Sequence, residues 1–114
     1  MNIKIQACLL DVKICIEEIY DFLGESRDFI EYKKDLKTKK AIERNLEIIG
    51  EAINRILKID NDFPIENAKN IIGTRNRIIH SYDNISDDVI WTIVIKELPI
   101  LKKQIDDFIA QNNK

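Results

Sequence analysis

An all-α fold, a bundle of four to five helices running up and down, is what this sequence predicts, and three observations predict it. Apolar residues recur at steps of three and four over long stretches, the period of a helix with one buried face. Turn formers are scarce, with three Gly and two Pro in 114 residues. Hydrophobic residues make up 45% of the chain and charged residues 33%, the balance of a compact helical protein rather than of a disordered or fibrous one. The length suits a single domain over residues 1–114, with one core and too little mass to enclose a roomy cofactor site. Any active site is therefore expected in a surface groove or between subunits.

Residues 3–23 carry Ile5, Leu9, Val12, Ile16, Ile19 and Leu23 on one stripe, with Asp11, Lys13, Glu17 and Glu18 largely between them, and the helix should end near Gly24. Residues 26–34 read as a short helix, and KKDLKTKK (33–40) as a charged, solvated joint. A second long amphipathic helix is expected over 38–58, from Ile42, Leu46, Ile49, Ile53, Ile56 and Leu57. Gly50 lies inside it, where glycine costs about 1 kcal/mol relative to alanine, so a close approach to another backbone is expected there. KIDNDFP (58–64) reads as a linker, with Pro64 suited to the start of a helix over 66–80. Ser86, followed by Asp87 and Asp88, has the form of a helix cap with acids near the positive end. From there Val89, Ile90, Ile93, Val94, Leu98, Leu101, Ile105, Phe108 and Ile109 continue a stripe that Pro99 interrupts. Proline lacks the backbone donor and crowds the carbonyl four residues back, so a bend is expected near 95–99.

Composition also narrows the function. A formal net charge of −2 argues against holding nucleic acid by a general basic field, so any RNA contact must be local. No apolar run approaches a membrane span, and MNIKIQACLL lacks the charged front and cleavage site of a secretory signal, so a cytoplasmic protein with no membrane partner is expected. Cys8 and Cys15 share a helical face and read as small buried thiols rather than as a disulfide or metal pair.

The stretch GTRNRIIHSY (73–82) holds the chain's single histidine. At 100° per residue Asn76 and His80 share one helical face and Arg75 and Tyr82 share another, while Arg75 and His80 stand about 140° apart. Arg75 and His80 converge on one ligand only if the helix ends near His80, the long arginine wraps round, or a second subunit supplies one of them. On these residues alone the favoured reading is a structural role, with His80 a favourable cation at a helix C-terminus and Arg75 and Arg77 paired with surface acids.

GTRNRIIHSY resembles the signature of HepT-like toxins of the HEPN superfamily, in which an Arg, a polar residue, a few further residues, a His and then a Tyr form the active motif. In this chain these are Arg75, Asn76, His80 and Tyr82. NLEIIGEAINRI (45–56) resembles the family's helix around Gly-Glu-Ala, and VIWTIVIKELPILKKQI (89–105) its final helix, including the proline. The resemblance implies a helical bundle, a homodimer, and the toxin of a type VII-like toxin–antitoxin pair. Such a toxin is a metal-independent endoribonuclease that needs no cofactor. Its implied partner is a minimal nucleotidyltransferase antitoxin that transfers AMP onto the motif tyrosine, here Tyr82.

The chemistry is consistent with that implication. RNA cleavage without a metal needs a base for the 2′-hydroxyl proton, an acid for the leaving oxygen, and positive charge for the phosphorane. Histidine suits proton transfer and the planar guanidinium of Arg75 suits phosphate oxygens. One histidine per chain is one too few for an acid and base pair, and a symmetric dimer brings two copies of His80 and Arg75 together. Asn76 is placed to orient His80 from one turn earlier, and Tyr82 to bond or stack on the substrate. Two alternatives have other signatures: a non-catalytic helical interaction module shows no His80-dependent cleavage, and a nucleotide-binding accessory subunit of a nucleotidyltransferase binds ATP or AMP when isolated.

Overall fold

The computed structural model describes residues 2–25, 27–80 and 86–112. Six α-helices and one π-helical stretch occupy them, with no strand among the described residues: α1 (Ile3–Leu23), α2 (Phe29–Lys34), α3 (Leu36–Ile59), α4 (Ala68–His80), α5 (Asp87–Thr92), the π-helical Ile93–Glu97 and α6 (Leu98–Asn112). Since α5, the π stretch and α6 are consecutive, four long helical rods and the short α2 form an all-α bundle.

The ends of these helices follow from local chemistry. The Asn2 side chain accepts from the backbone N–H groups of Lys4 and Ile5, so α1 starts with a satisfied cap. It stops at Gly24, whose φ of 69° is a conformation glycine adopts freely, and whose N–H donates to the Tyr20 carbonyl. The expected charged joint over 33–40 is corrected to a single residue. Asp35 closes α2 and caps α3 at once, accepting from Thr38 N–H at 3.0 Å and from the Thr38 hydroxyl at 2.7 Å. Residues 36–40 are therefore helical, because Asp35 satisfies the free donors that would otherwise leave the lysine run as a turn. Ser86 caps α5 as its sequence suggests, accepting from Asp88 N–H.

Ile5, Leu9, Val12, Ile16 and Ile19 of α1 are buried against Ile42, Leu46, Ile49, Ile53 and Ile56 of α3, and α4 packs on the other side of α3. Ile90, Val94, Leu98, Leu101 and Ile105 of the last rod complete the core. Polar side chains, Asn45 buried and Asn67 partly buried, link the layers. Asn45 donates to the Cys15 carbonyl at 3.2 Å and to Glu18 at 3.0 Å, and Asn67 donates to the Glu97 carboxylate at 2.7 Å. Cys8 and Cys15 are buried free thiols. No described helix is long and apolar enough to cross a membrane.

The stretch ahead of Pro99, where a bend is expected, shows a change of helical pitch. There the helix widens into a π turn, in which Leu98 N–H reaches back five residues to the Ile93 carbonyl. The core contacts of Ile90 and Val94 on one side and Leu101 and Ile105 on the other hold both halves in place. The missing proline donor is thus accommodated by a change of pitch.

Candidate functional site

The candidate residues Arg75, Asn76 and His80 lie in the C-terminal half of α4, and Tyr82 lies outside the described residues. The described part of α4 runs to His80, so the histidine stands at the last described helical position, exposed, with Arg77 in the same turn. Positive charge there complements the negative end of the helix dipole. The five-residue separation along α4 places Arg75 and His80 about 7.5 Å apart along the axis and about 140° around it.

Arg75 is half-buried because its stem lies against α3. Gly50 is the seat: a Cβ built there would overlap the Arg75 Cβ, would lie 2.8 Å from the Arg75 Cγ, and would lie 3.3 Å from the Ile71 carbonyl oxygen. The close approach expected at Gly50 is thus to an arginine stem as well as to backbone. One end of the guanidinium, Nη1, donates to Asn76 Oδ1 at 2.9 Å, while the Nε is buried with no acceptor among the described residues. The structure therefore brings Asn76 to Arg75, the residue beside it, rather than showing it turned to His80. Among the described residues no acid forms an ion pair with Arg75. Thr74, one of two buried polar residues on the described chain, donates its hydroxyl to the Asn70 carbonyl at 2.8 Å and stays within its own helix.

Two grooves of the fold, about 400 Å³ beside Phe22, Tyr32 and Thr38 and about 530 Å³ beside Phe63, Asn67 and Asn70, exclude Arg75 and His80. On the described part of α4, Asn76 and His80 are exposed and Arg75 is half-buried. Among the described residues no group of His, Cys, Asp and Glu is placed to hold a metal ion.

A family model described as Ribonuclease HepT-like matches residues 12–108, a span that contains Gly50, Arg75, Asn76 and His80. The chain belongs to the HepT-like ribonuclease family. Relatives agree over most of their length. A Methanocaldococcus jannaschii protein named as a candidate RNase is 36% identical over 106 residues, covering 92% of this chain and 87% of its own. A Thermococcus cleftensis protein named as a candidate ribonuclease HepT is 34% identical over 102 residues, covering 86% and 89%. A candidate RNase of Caldanaerobacter subterraneus subsp. tengcongensis is 34% identical over 87 residues, covering 73% and 75%. Membership of the HepT-like ribonucleases places the protein in an enzyme class, hydrolases acting on RNA. Sequence reasoning singled out the residues of α4 by type but missed Gly50 as part of their setting. The signal was a glycine in the middle of an otherwise strong amphipathic helix.

Proposed function

We propose that this HepT-like ribonuclease is the toxin of a toxin–antitoxin pair, a metal-independent endoribonuclease that works as a homodimer and is silenced by AMP transfer onto Tyr82. The observation that carries the reading is that Arg75 and His80 stand on one helix inside the span matched by the ribonuclease family. The step is an attack of the RNA 2′-oxygen on the adjacent phosphorus. One His80 takes the 2′-hydroxyl proton, the 2′-O–P bond forms and the P–O5′ bond breaks. The second subunit's copy of His80 gives its proton to the departing 5′-oxygen, leaving a 2′,3′-cyclic phosphate and a 5′-hydroxyl. Arg75 offers planar donors to the phosphate oxygens as their charge rises.

The dimer is what the chemistry requires, since one histidine per chain cannot be both acid and base; Ile79, 43% exposed beside His80, is one of several exposed apolar side chains such an interface would cover. Silencing follows from charge and bulk. The Tyr82 oxygen attacks the α-phosphorus of ATP, pyrophosphate leaves and the phenolic proton goes to solvent. The phosphate attached at Tyr82, two residues from His80, then competes for Arg75.

The test is cleavage of a defined RNA by purified protein in EDTA, with light scattering to read the oligomer. Native protein should form dimers and cleave, and His80→Ala should lower the rate about 10²-fold or more. Unchanged cleavage by folded His80→Ala protein defeats the reading.

A further inference from the structure

Gly50 and Arg75 are 25 positions apart in the chain and touch across the α3–α4 contact. Three facts define the relation. The overlap at an added Gly50 Cβ is with the Arg75 Cβ, which cannot swing away without moving the α4 backbone, and with the Cγ 2.8 Å away. The Ile71 carbonyl, one turn earlier on α4, is 3.3 Å from the same point, so α4 backbone as well as the arginine stem lies close to Gly50. Beyond the seat, the Arg75 Nε is buried without an acceptor among the described residues, while Nη1 is held by Asn76 at 2.9 Å. The other helical glycine of the region, Gly73, has nothing within 4 Å of an added Cβ. Contact with the arginine is therefore a property of Gly50 and not of glycines in this bundle.

We propose that Gly50 is the positioning residue for Arg75, its missing side chain forming a notch that fixes the direction in which the guanidinium leaves α4. The inference rests on the reading of Arg75 as the phosphate-binding group. An arginine stem has four rotatable bonds, and an exposed one would sample many directions between turnovers. Pressed into the notch, the first two bonds are confined and the guanidinium is aimed before RNA arrives. The buried Nε sharpens the dependence. A methyl at position 50 lifts the stem, Nε gains water as an acceptor, and the lifted state is then favoured over return to the seat. Gly50 thus acts on Arg75 through packing and touches no substrate itself.

The experiment compares native protein, Gly50→Ala and Gly73→Ala. The first readout is the Nε–H signal of Arg75 in a proton–nitrogen correlation spectrum, assigned by its loss in Arg75→Lys. The second is steady-state RNA cleavage. In Gly50→Ala, exchange of the Arg75 Nε–H with water should quicken about tenfold or more, and kcat should fall about tenfold or more with KM changed by less than about threefold. Gly73→Ala should leave the Nε–H exchange and kcat within about twofold of native, since an alanine there meets open space. An Nε–H in Gly50→Ala as slow to exchange as in native protein overturns the proposal. If native protein does not cleave RNA, the ribonuclease mechanism fails, while the Nε–H comparison still decides the role of Gly50. Should Gly50→Ala not fold, the double variant Gly50→Ala/Arg75→Gly removes the colliding side chain. Recovery of folding in it supports the contact, and continued failure overturns it.

Discussion

Lys39 of α3 and Asp87 at the start of α5 join their side chains at 3.0 and 3.1 Å, with the lysine 21% and the aspartate 20% exposed. This pair ties α3 to the start of α5. Removal of one partner from so sheltered a pair leaves the other charge short of acceptors or donors. Asp87→Asn should lower stability by about 1–2 kcal/mol in urea unfolding. Lys103 and Asp107 serve as the comparison, since they are 79% and 59% exposed. Asp107→Asn should cost less than about 0.5 kcal/mol. Equal losses for the two variants would mean that burial does not set the strength of these pairs.

Arg75 and His80 are expected to act as one unit in cleavage. Each alanine variant should lose about 10²-fold or more of kcat, and the double variant should be little worse than the worse single one. Asn76→Ala frees Nη1 of Arg75 and should lower kcat by a smaller factor, of order tenfold. Strictly multiplicative losses for Arg75 and His80, read from single-turnover rates, would show that they act independently.

Alkaline pH should weaken the fold through Cys15. Burial, with Glu18 and Asp11 adding their charge, pushes its thiol from about 9 up to about 11. Below pH 9 the thiol is protonated in folded and unfolded chains alike, and nothing is lost. Between about 9 and 11 only the unfolded chain releases the proton, so stability falls across that window. Tyr32 is pushed upward as well, by burial first and then by Asp87 and Glu43, and extends the decline at higher pH. The urea midpoint should drop less steeply over the window in Cys15→Ala than in native protein. Iodoacetamide should label Cys15 only when the chain unfolds.

Incubation with a cognate nucleotidyltransferase, ATP and Mg²⁺ should add one or more AMP units to Tyr82 and abolish cleavage. Tyr82→Phe should fold, remain active and escape modification. Intact mass spectrometry decides the point, and an equal AMP increment on Tyr82→Phe would remove the tyrosine from the scheme.

Helix positions were legible because their stop and start signals are chemical. Gly24 and Ser86 announce an end and a beginning by residue type alone, and both perform those roles. Asp35 was obscured by the lysines around it. A single aspartate that ends one helix and caps the next leaves no gap for a loop, and charge density alone suggests one. At the site, spacing alone leaves a structural role open for Arg75, Asn76 and His80, and it is the resemblance of GTRNRIIHSY to the HepT-like signature that singles them out; one helix carries all three. The contact between Gly50 and Arg75 could not be picked out, because it depends on how α3 and α4 cross. A mid-helix glycine tells that something comes close but not what.

The π turn ahead of Pro99 has a consequence for how this chain tolerates changes in length. A turn closed over five residues instead of four holds one residue more than an α-turn, while the helical faces before and after it keep their alignment. The last rod therefore behaves as a continuous α-helix carrying a single inserted residue, stored where the proline already interrupts the ladder. Deleting one residue between Ile93 and Glu97 should be absorbed by reversion to α pitch, with Ile90 and Leu101 still facing the core. The same deletion two turns later, beyond Leu101, has no such slack and would rotate Ile105 by about 100° out of its buried row.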